Sequence, residues 1–311
     1  MRDLVKVREY IDKIESYRKR MEHKFDFTYY KNRALMLERF GVPKMLFDNI
    51  IAEGVENVRE VGGKQLAFMS NHVSMADYLM QGYIFWKDKL PIPRFLAGEN
   101  LNRLALGRFF RRCGAIFIDR NERDRLYWKV LDGYIKEVLS DNESLLIYPE
   151  GTRKDKDFSR KLKTGAVGWV VDAVENGRDI YVVPTYACYD KRIEEAVIEK
   201  VRENKRRRDI LLAKTNKLRK EGKEFRADIA ELRARFRDKL YFGLDLFPYF
   251  QRPFDKQKGN AYVIFGKPFS ITDFFKKNGD MESKKDKKKA LAEKVGEEIE
   301  RLENLYKDKK L

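Results

Sequence analysis

The chain has 311 residues, of which 43% are hydrophobic, and 67 Lys and Arg against 50 Asp and Glu leave a net charge of +17. This composition is typical of a folded globule and excludes a disordered chain, while the positive charge predicts an acidic partner: nucleic acid, an anionic lipid surface or a phosphorylated substrate. No uninterrupted apolar run reaches about 18 residues, so we expect no transmembrane helix, and the charged first residues argue against a secretory signal.

The first part of the chain, up to about residue 50, has the pattern of amphipathic helix. Apolar residues recur there at steps of three and four with charges between them, namely Leu4, Val7, Ile11, Ile14, Met21 and Phe25. We predict an N-terminal helical region over residues 1–54 that packs on the main domain. A helix lying on a membrane surface is the alternative interpretation.

Strand-like and helical segments alternate from about residue 55 onwards. Strands are predicted at 54–61, 64–72, 115–119, 144–148, 179–189 and 260–271. Helices are predicted at 74–87, 124–140 and 165–177, and a densely charged helical segment follows at 191–250. This alternation predicts an α/β fold: a mixed, largely parallel central sheet flanked by helices, with an N-terminal helical segment and a charged helical insertion. The α/β domain would span 55–275, and a basic C-terminal helix 276–311.

Four short segments carry the residues that could take part in binding or catalysis. Each segment follows or contains a strand-like run. They read "NHVSMAD", "GAIFIDR", "YPEGTR" and "VVPTY" in chain order. In open α/β sheets, the residues just past the strand ends meet in one crevice. We therefore expect these segments to form one site.

The first segment pairs His72 with Asp77. Ser74 and Asp77 fit a capping box, and if the helix begins after Ser74, Asp77 in its first turn reaches back to His72 in the preceding loop. Such a carboxylate would fix the imidazole tautomer, and a neutral imidazole suits a general base that accepts a hydroxyl proton. A loop histidine beside a capping aspartate explains the same residues equally well.

The other three segments suggest anion binding and strand ends. Arg120 ends a predicted strand, and Arg153 follows a tight turn at Pro149–Gly151, positions from which an arginine can bind phosphate. Pro184 interrupts an apolar strand, as proline does at a strand end or a bulge. Ordinary surface arginines, a polar loop and a structural proline are the alternatives.

Together, in this order and spacing, the four segments resemble the glycerolipid acyltransferases, a superfamily marked by His, four residues and Asp. The matching positions are His72 with Asp77, Gly114–Arg120, Glu150–Arg153 and Val182–Thr185. The resemblance covers about residues 55–190 and resumes at "NAYVIFGKPFSI". The "AGENLN" and "FRRCGAIFI" stretches are similar to the bacterial glycerol-3-phosphate acyltransferases, whereas "YPEGTR" followed by "LKTGAV" is more similar to the lysophosphatidate acyltransferases.

The resemblance implies transfer of a fatty acyl group from acyl-CoA or an acyl carrier protein thioester to the sn-1 hydroxyl of glycerol-3-phosphate, in phospholipid biosynthesis. His72 would be the general base and Asp77 would orient it, with no acyl-enzyme intermediate. The runner-up activity is acylation of lysophosphatidate at the sn-2 hydroxyl. A nucleic-acid-binding protein is a remote alternative that rests on charge alone.

The resemblance also implies roles for the remaining site residues. Arg120, Arg153 and Lys163 would bind the acceptor phosphate. The acceptor loop would comprise Glu150, Gly151 and Thr152, and Pro184 would help to form the acyl or donor pocket.

We expect neither a metal nor a resident cofactor, since two histidines and two cysteines do not suit a zinc site and the acyl thioester is a co-substrate. The expected partners are a phosphorylated glycerol acceptor, acyl-CoA or acyl carrier protein, and an anionic membrane surface, with no nucleic acid. The expected location is cytoplasmic, peripherally bound to the inner face of the cell membrane.

Overall fold

The helices of this computed structural model follow the predicted order closely. The structure describes residues 2–102, 104–151, 153, 162–195, 257–279, 281 and 283–310. Its helices are α1 (Arg2–Met21), α2 (Phe27–Arg39), α3 (Val42–Leu46), α4 (Val55–Glu60), α5 (Ala76–Lys87), α6 (Leu104–Arg112), α7 (Arg125–Ser140), α8 (Thr164–Glu175), α9 (Ile271–Lys277) and α10 (Lys284–Lys310). The predicted charged insertion lies, from residue 196 onwards, outside the described residues.

The strands of the described residues form one sheet of eight strands. Its strands are β1 (Ile50–Glu53), β2 (Gln65–Ser70), β3 (Arg94–Gly98), β4 (Ala115–Ile118), β5 (Leu145–Ile147), β6 (Ile180–Tyr189), β7 (Ala261–Phe265) and β8 (Phe269–Ser270). The order is β1-β7-β6-β2-β5-β3-β4, and β8 pairs with β6. Strand β2 is parallel to β5 and β6, and β3 is parallel to β4 and β5, whereas β8 runs antiparallel to β6. The predicted mixed, largely parallel α/β fold is confirmed.

The contacts within the chain divide it into two units. One comprises residues 1–40, 51–188 and 262–311, and the other 41–50 and 189–261. All the site residues discussed below belong to the first unit. The domain boundaries expected from the sequence remain a prediction.

The predicted strand over residues 54–61 is wrong, because this stretch forms helix α4. Val55, Val58 and Val61 recur at steps of three, which suits a helix better than the alternation of a strand, and only Val58 is fully buried. Gly54 precedes the helix with φ +70°, a conformation that glycine adopts without strain. Strand β3 was not predicted, since its five residues begin with an arginine that follows two prolines.

The N-terminal region is helical, as expected, up to α3, and β1 follows it. Helix α1 buries Tyr17 and Met21, and the Tyr17 ring meets the Tyr127 ring of α7 edge to face with 5.5 Å between their centres. Arg18 and Glu137 form an ion pair at 2.6 Å between the same two helices. This end of α1 is thus packed on the first unit. Among the described helices, none is long and apolar enough to cross a membrane.

The parallel pairing of β2 with β5 determines where the site residues lie. Phe68 and Met69 of β2 lie opposite Leu146 and Ile147 of β5, so the loops that leave these strands at their carboxyl ends start side by side. His72 lies in the first loop and 148–151 form the second. The fold thereby brings together two motifs far apart in sequence.

Candidate active site

His72 and Asp77 are in direct contact. The Nδ1 atom of His72 lies 2.7 Å from Oδ2 of Asp77, and both side chains are buried, with 7% and 0% of their surfaces exposed. Because a carboxylate can only accept, this contact places the imidazole proton on Nδ1 in the neutral ring. The lone pair is then on Nε2, where a general base needs it.

The start of α5 explains how a residue five positions away reaches the histidine. Oδ2 of Asp77 also accepts hydrogen bonds from the backbone N–H groups of Val73 at 2.9 Å and Ser74 at 3.1 Å. The Ser74 hydroxyl accepts from the N–H of Ala76 at 3.0 Å, but the N-cap residue of α5 is Met75, one position later than the predicted capping box has it. One carboxylate oxygen of Asp77 therefore contacts the His72 ring and two backbone N–H groups of the loop.

Two tyrosines enclose the imidazole. The Tyr148 ring stacks on His72 with 4.3 Å between ring centres and 25° between planes. Tyr78 presents its edge to His72 at 5.4 Å and also to Tyr148 at 5.0 Å. Burial raises the pKa of the Tyr148 hydroxyl well above its usual value, and the charge of Asp77 adds to this effect. Both hydroxyl groups are therefore neutral.

Glu150 contacts the histidine loop instead of lying alone in the acceptor loop. Its Oε1 atom accepts a hydrogen bond from the backbone N–H of His72 at 3.2 Å, and the residue is 2% exposed. The third motif is thus joined directly to the first. A sequence pattern cannot show this, because the two residues meet only through the pairing of β2 with β5.

Lys163 lies beside Gly151, which belongs to the loop after β5. Gly151 has φ +71°, and a Cβ atom added there would lie 2.7 Å from Cδ of Lys163 and 3.0 Å from its Nζ. The N–H of Lys163 donates to the carbonyl of Pro149 at 2.7 Å. Lys163 therefore lies against the predicted acceptor loop. Thr152, the third residue predicted for this loop, lies outside the described residues.

Arg120 and Arg153 are both exposed, and both lie within electrostatic range of Tyr78. Burial raises the pKa of the Tyr78 hydroxyl, and the positive charges of the two arginines act in the opposite direction. The two arginines belong to separate loops, the one after β4 and the one after β5. Their predicted role in binding a phosphate remains a prediction.

Pro184 lies inside β6 and not at its end. It is opposite Met69 of β2, and its carbonyl accepts a hydrogen bond from the N–H of Gly266 at 2.8 Å. The strand continues to Tyr189 and keeps one register with β2 through Pro184, so the expectation of a strand end or a bulge is wrong. Its predicted part in an acyl or donor pocket stays a prediction.

An apolar pocket begins beside Tyr78. Helices α2, α5 and α6 form its walls together with β3, through residues that include Ala34, Leu37, Leu79, Phe95, Phe110 and Cys113. Tyr78 belongs both to this lining and to the surroundings of His72. Burial raises the pKa of the Cys113 thiol to about 12, so this thiol stays protonated.

This arrangement suits proton removal from a hydroxyl beside an apolar chain. It comprises a buried imidazole with a carboxylate on one nitrogen, nearby positive charges and an adjoining apolar pocket. In the part of the chain that the structure describes, no group of three or more His, Cys, Asp or Glu side chains could hold a metal ion.

The two tyrosines beside His72 were not predicted from the sequence. Tyr78 follows Asp77 directly and Tyr148 precedes Pro149-Glu150, so an aromatic residue adjoins each of two motifs. That adjacency was the available signal. The apolar pocket was also missed, because its walls come from four elements that only the fold assembles.

Residues 49–187 match the family model described as acyltransferase. The probable mitochondrial glycerol-3-phosphate acyltransferase of Caenorhabditis elegans is 34% identical over 144 residues, which are 43% of this chain and 20% of that protein. The glycerol-3-phosphate acyltransferase of Haemophilus ducreyi is 31% identical over 234 residues, which are 74% of this chain and 25% of that protein. The chain thus spans a fifth to a quarter of the length of these relatives.

Among solved structures, the crystal structure of the 1-acyl-sn-glycerophosphate acyltransferase from Thermotoga maritima superposes with a TM-score of 0.44 and 14% sequence identity. The superposition covers 88% of this chain and 79% of that one.

Proposed function

We propose that this chain, whose residues 49–187 match the acyltransferase family model as its motifs led us to expect, transfers a fatty acyl group from a thioester to the sn-1 hydroxyl of glycerol-3-phosphate. The observation that carries this proposal is the contact of 2.7 Å between His72 Nδ1 and Asp77 Oδ2. The choice of acceptor is supported by the relatives of Caenorhabditis elegans and Haemophilus ducreyi, which are both named for glycerol-3-phosphate.

His72 is the general base in this proposal. Its Nε2 accepts the proton of the acceptor hydroxyl while the hydroxyl oxygen attacks the thioester carbonyl carbon. The tetrahedral intermediate then collapses, the carbon–sulfur bond breaks, and the imidazolium returns the proton to the departing thiolate. Asp77 stabilises the positive ring and keeps its proton on Nδ1.

The donor acyl group reaches the hydroxyl directly, with no acyl-enzyme. Cys113 lies in the apolar pocket, but its raised pKa keeps it as a thiol, and a thiol is a poor nucleophile. We place the acyl chain in this pocket, because its walls are apolar and Tyr78, which contacts His72, is one of its lining residues.

The acceptor phosphate lies between the loops that follow β4 and β5. Arg120 comes from the first loop and Arg153 from the second, and the charges of both act on the same tyrosine hydroxyl. Lys163 adds a third positive charge against Gly151. Charge-assisted hydrogen bonds from such groups are the usual protein ligands of phosphate.

A substrate panel tests this function. The purified chain is offered radiolabelled glycerol-3-phosphate, dihydroxyacetone phosphate and lysophosphatidate, each with acyl-CoA and with an acyl carrier protein thioester. We expect the fastest acylation with glycerol-3-phosphate. Faster acylation of lysophosphatidate would favour the sn-2 reaction, and no acylation of any acceptor would contradict the proposal.

We further propose that α1 binds an anionic membrane surface. Val7, Tyr10 and Ile11 lie at steps of three and one along the helix and are 55%, 52% and 49% exposed. Lys6 and Arg8 are exposed beside them. Apolar side chains flanked by basic ones suit insertion among anionic headgroups.

Vesicle flotation tests the membrane proposal. At moderate salt we expect the protein to float with anionic vesicles and not with neutral ones, and we expect substitution of Val7, Tyr10 and Ile11 by serine to abolish this. Leu305→Ser is the control, because Leu305 is 48% exposed on α10. Equal flotation with both kinds of vesicle would contradict the proposal.

A further inference from the structure

Among the described residues, the His72 imidazole has one hydrogen bond and two aromatic contacts. Its Nδ1 meets Asp77, which fixes the ring at one point. A single bond leaves the ring free to rotate about that point, and rotation would move Nε2 away from a substrate hydroxyl. The Tyr148 ring, stacked at 4.3 Å, and the Tyr78 edge, at 5.4 Å, restrict this rotation.

We propose that Tyr148 is a positioning residue for the base. The proposal rests on the acyltransferase function proposed above and adds a residue that acts through His72. The face of the Tyr148 ring holds the imidazole in the plane that keeps Nδ1 on Asp77. The same face attracts the positive ring that forms when His72 takes the acceptor proton.

The stacked geometry supports both parts of this role. A tilt of 25° between the planes is close to parallel, and the ring centres are near enough for an attractive interaction between a cation and an aromatic face. The interaction is stronger in a site shielded from water, and His72 and Tyr148 are only 6% and 7% exposed. An interaction made chiefly with the charged imidazole speeds the chemical step, not substrate binding.

The hydroxyl of Tyr148 is separable from this role. Its Oη is buried and has no hydrogen-bond partner among the described residues. A buried hydroxyl without a partner costs free energy, so what favours the side chain here is its ring. Tyr148→Phe therefore keeps the proposed contact, whereas Tyr148→Leu removes it with little change in apolar character.

Nuclear magnetic resonance tests the positioning without any substrate. The chain has two histidines, so labelled histidine gives two sets of ring signals, and His23→Gln identifies the signals of His72. A stacked tyrosine shifts the His72 ring protons upfield through its ring current. We expect this shift in the wild type and in Tyr148→Phe, and its loss in Tyr148→Leu. An unchanged shift in Tyr148→Leu would overturn the proposal.

Kinetics test the consequence for the reaction. We expect Tyr148→Leu to lower kcat about 3- to 30-fold with little change in KM, and Tyr148→Phe to restore most of it. Mono-, di- and trifluorinated phenylalanine at position 148 keep the shape but weaken the negative face, so kcat should fall stepwise along that series. The fluorinated variants also test the proposal if Tyr148→Leu fails to fold.

Phe47→Leu is the matched control, because Phe47 is also buried and stacks on an aromatic ring, that of Tyr189, with 27° between the planes, but lies outside the four site segments. We expect it to retain the wild-type kcat. A wild-type kcat in Tyr148→Leu, or a flat fluorinated series, would overturn the kinetic part of the proposal. If the wild type acylates no acceptor, the proposed function fails, and the ring-current comparison decides the positioning by itself.

Discussion

Glu150 accepts a hydrogen bond from the backbone N–H of His72 across 3.2 Å, although 78 positions separate them in the chain. This bond joins the loop after β5 to the loop after β2. The loop that is proposed to hold the acceptor is therefore held at a fixed distance from the proposed base.

Two substitutions of Glu150 separate the effect of its hydrogen bond to His72 from the effect of its negative charge. We expect Glu150→Ala to lower the free energy of unfolding by about 1–3 kcal/mol, because it removes the carboxylate partner of a buried N–H. Glu150→Gln retains a carbonyl oxygen that can accept, so its loss should be about 1 kcal/mol or less. Urea unfolding of both variants measures the difference. Equal losses in the two variants would show that the charge matters and the bond does not.

Asp77→Asn tests the negative charge behind the base. Because Oδ2 of Asp77 also accepts from the backbone N–H groups of Val73 and Ser74, the amide keeps its oxygen at this position, and what is lost is the charge that stabilises the imidazolium. We expect kcat to fall about 10²- to 10⁴-fold with a small change in KM. The double variant with His72→Gln should be no slower than His72→Gln alone, since the two residues act as a unit. A further loss in the double variant would argue that Asp77 acts independently.

Gly151→Ala tests the backbone of the predicted acceptor loop. Gly151 has φ +71°, so we expect alanine to destabilise the protein by about 1–2 kcal/mol and to displace Lys163. Gly133 in α7 is the control, because a Cβ atom there meets nothing within 4 Å. Gly133→Ala should stabilise the protein by about 1 kcal/mol or less. The same sign of change in both variants, measured by urea unfolding, would contradict this account of the loop.

His23 gives a prediction about pH. Burial, followed by the charges of Arg111 and Arg94, lowers its pKa from 6.5 to about 4. As pH falls from about 6.5, the unfolded chain takes up this proton before the folded protein does, so stability falls towards pH 4. We expect the free energy of unfolding to vary less with pH over this range in His23→Gln. If the free energy of unfolding depends on pH in the same way in the wild type and in His23→Gln, this prediction about His23 is wrong.

The sequence allowed prediction of the elements whose signal is local. The apolar run of β2 is buried at all six positions, and the helix that follows begins near Ser74, as its capping pattern indicates. The same capping pattern suggested that Asp77 could reach His72, and the structure has that contact. The prediction of a strand in place of helix α4 is wrong, because its three valines are spaced as in a helix.

The remaining parts of the site depend on contacts between distant segments. The stack of Tyr148 on His72 and the bond from Glu150 exist because β2 and β5 pair in one particular register. No pattern within a short window contains that register. The apolar pocket likewise requires α2, α5 and α6 to meet, so it became visible only in the assembled fold.

The turnover of His72→Gln tests the central claim most directly. It is measured with the acceptor and donor that the wild type uses best, beside His23→Gln, which removes the only other histidine. We expect His72→Gln to lower kcat about 10²- to 10⁴-fold, as loss of a general base does, and His23→Gln to retain the wild-type rate. Near-normal turnover in His72→Gln would contradict the proposal that this histidine is the base.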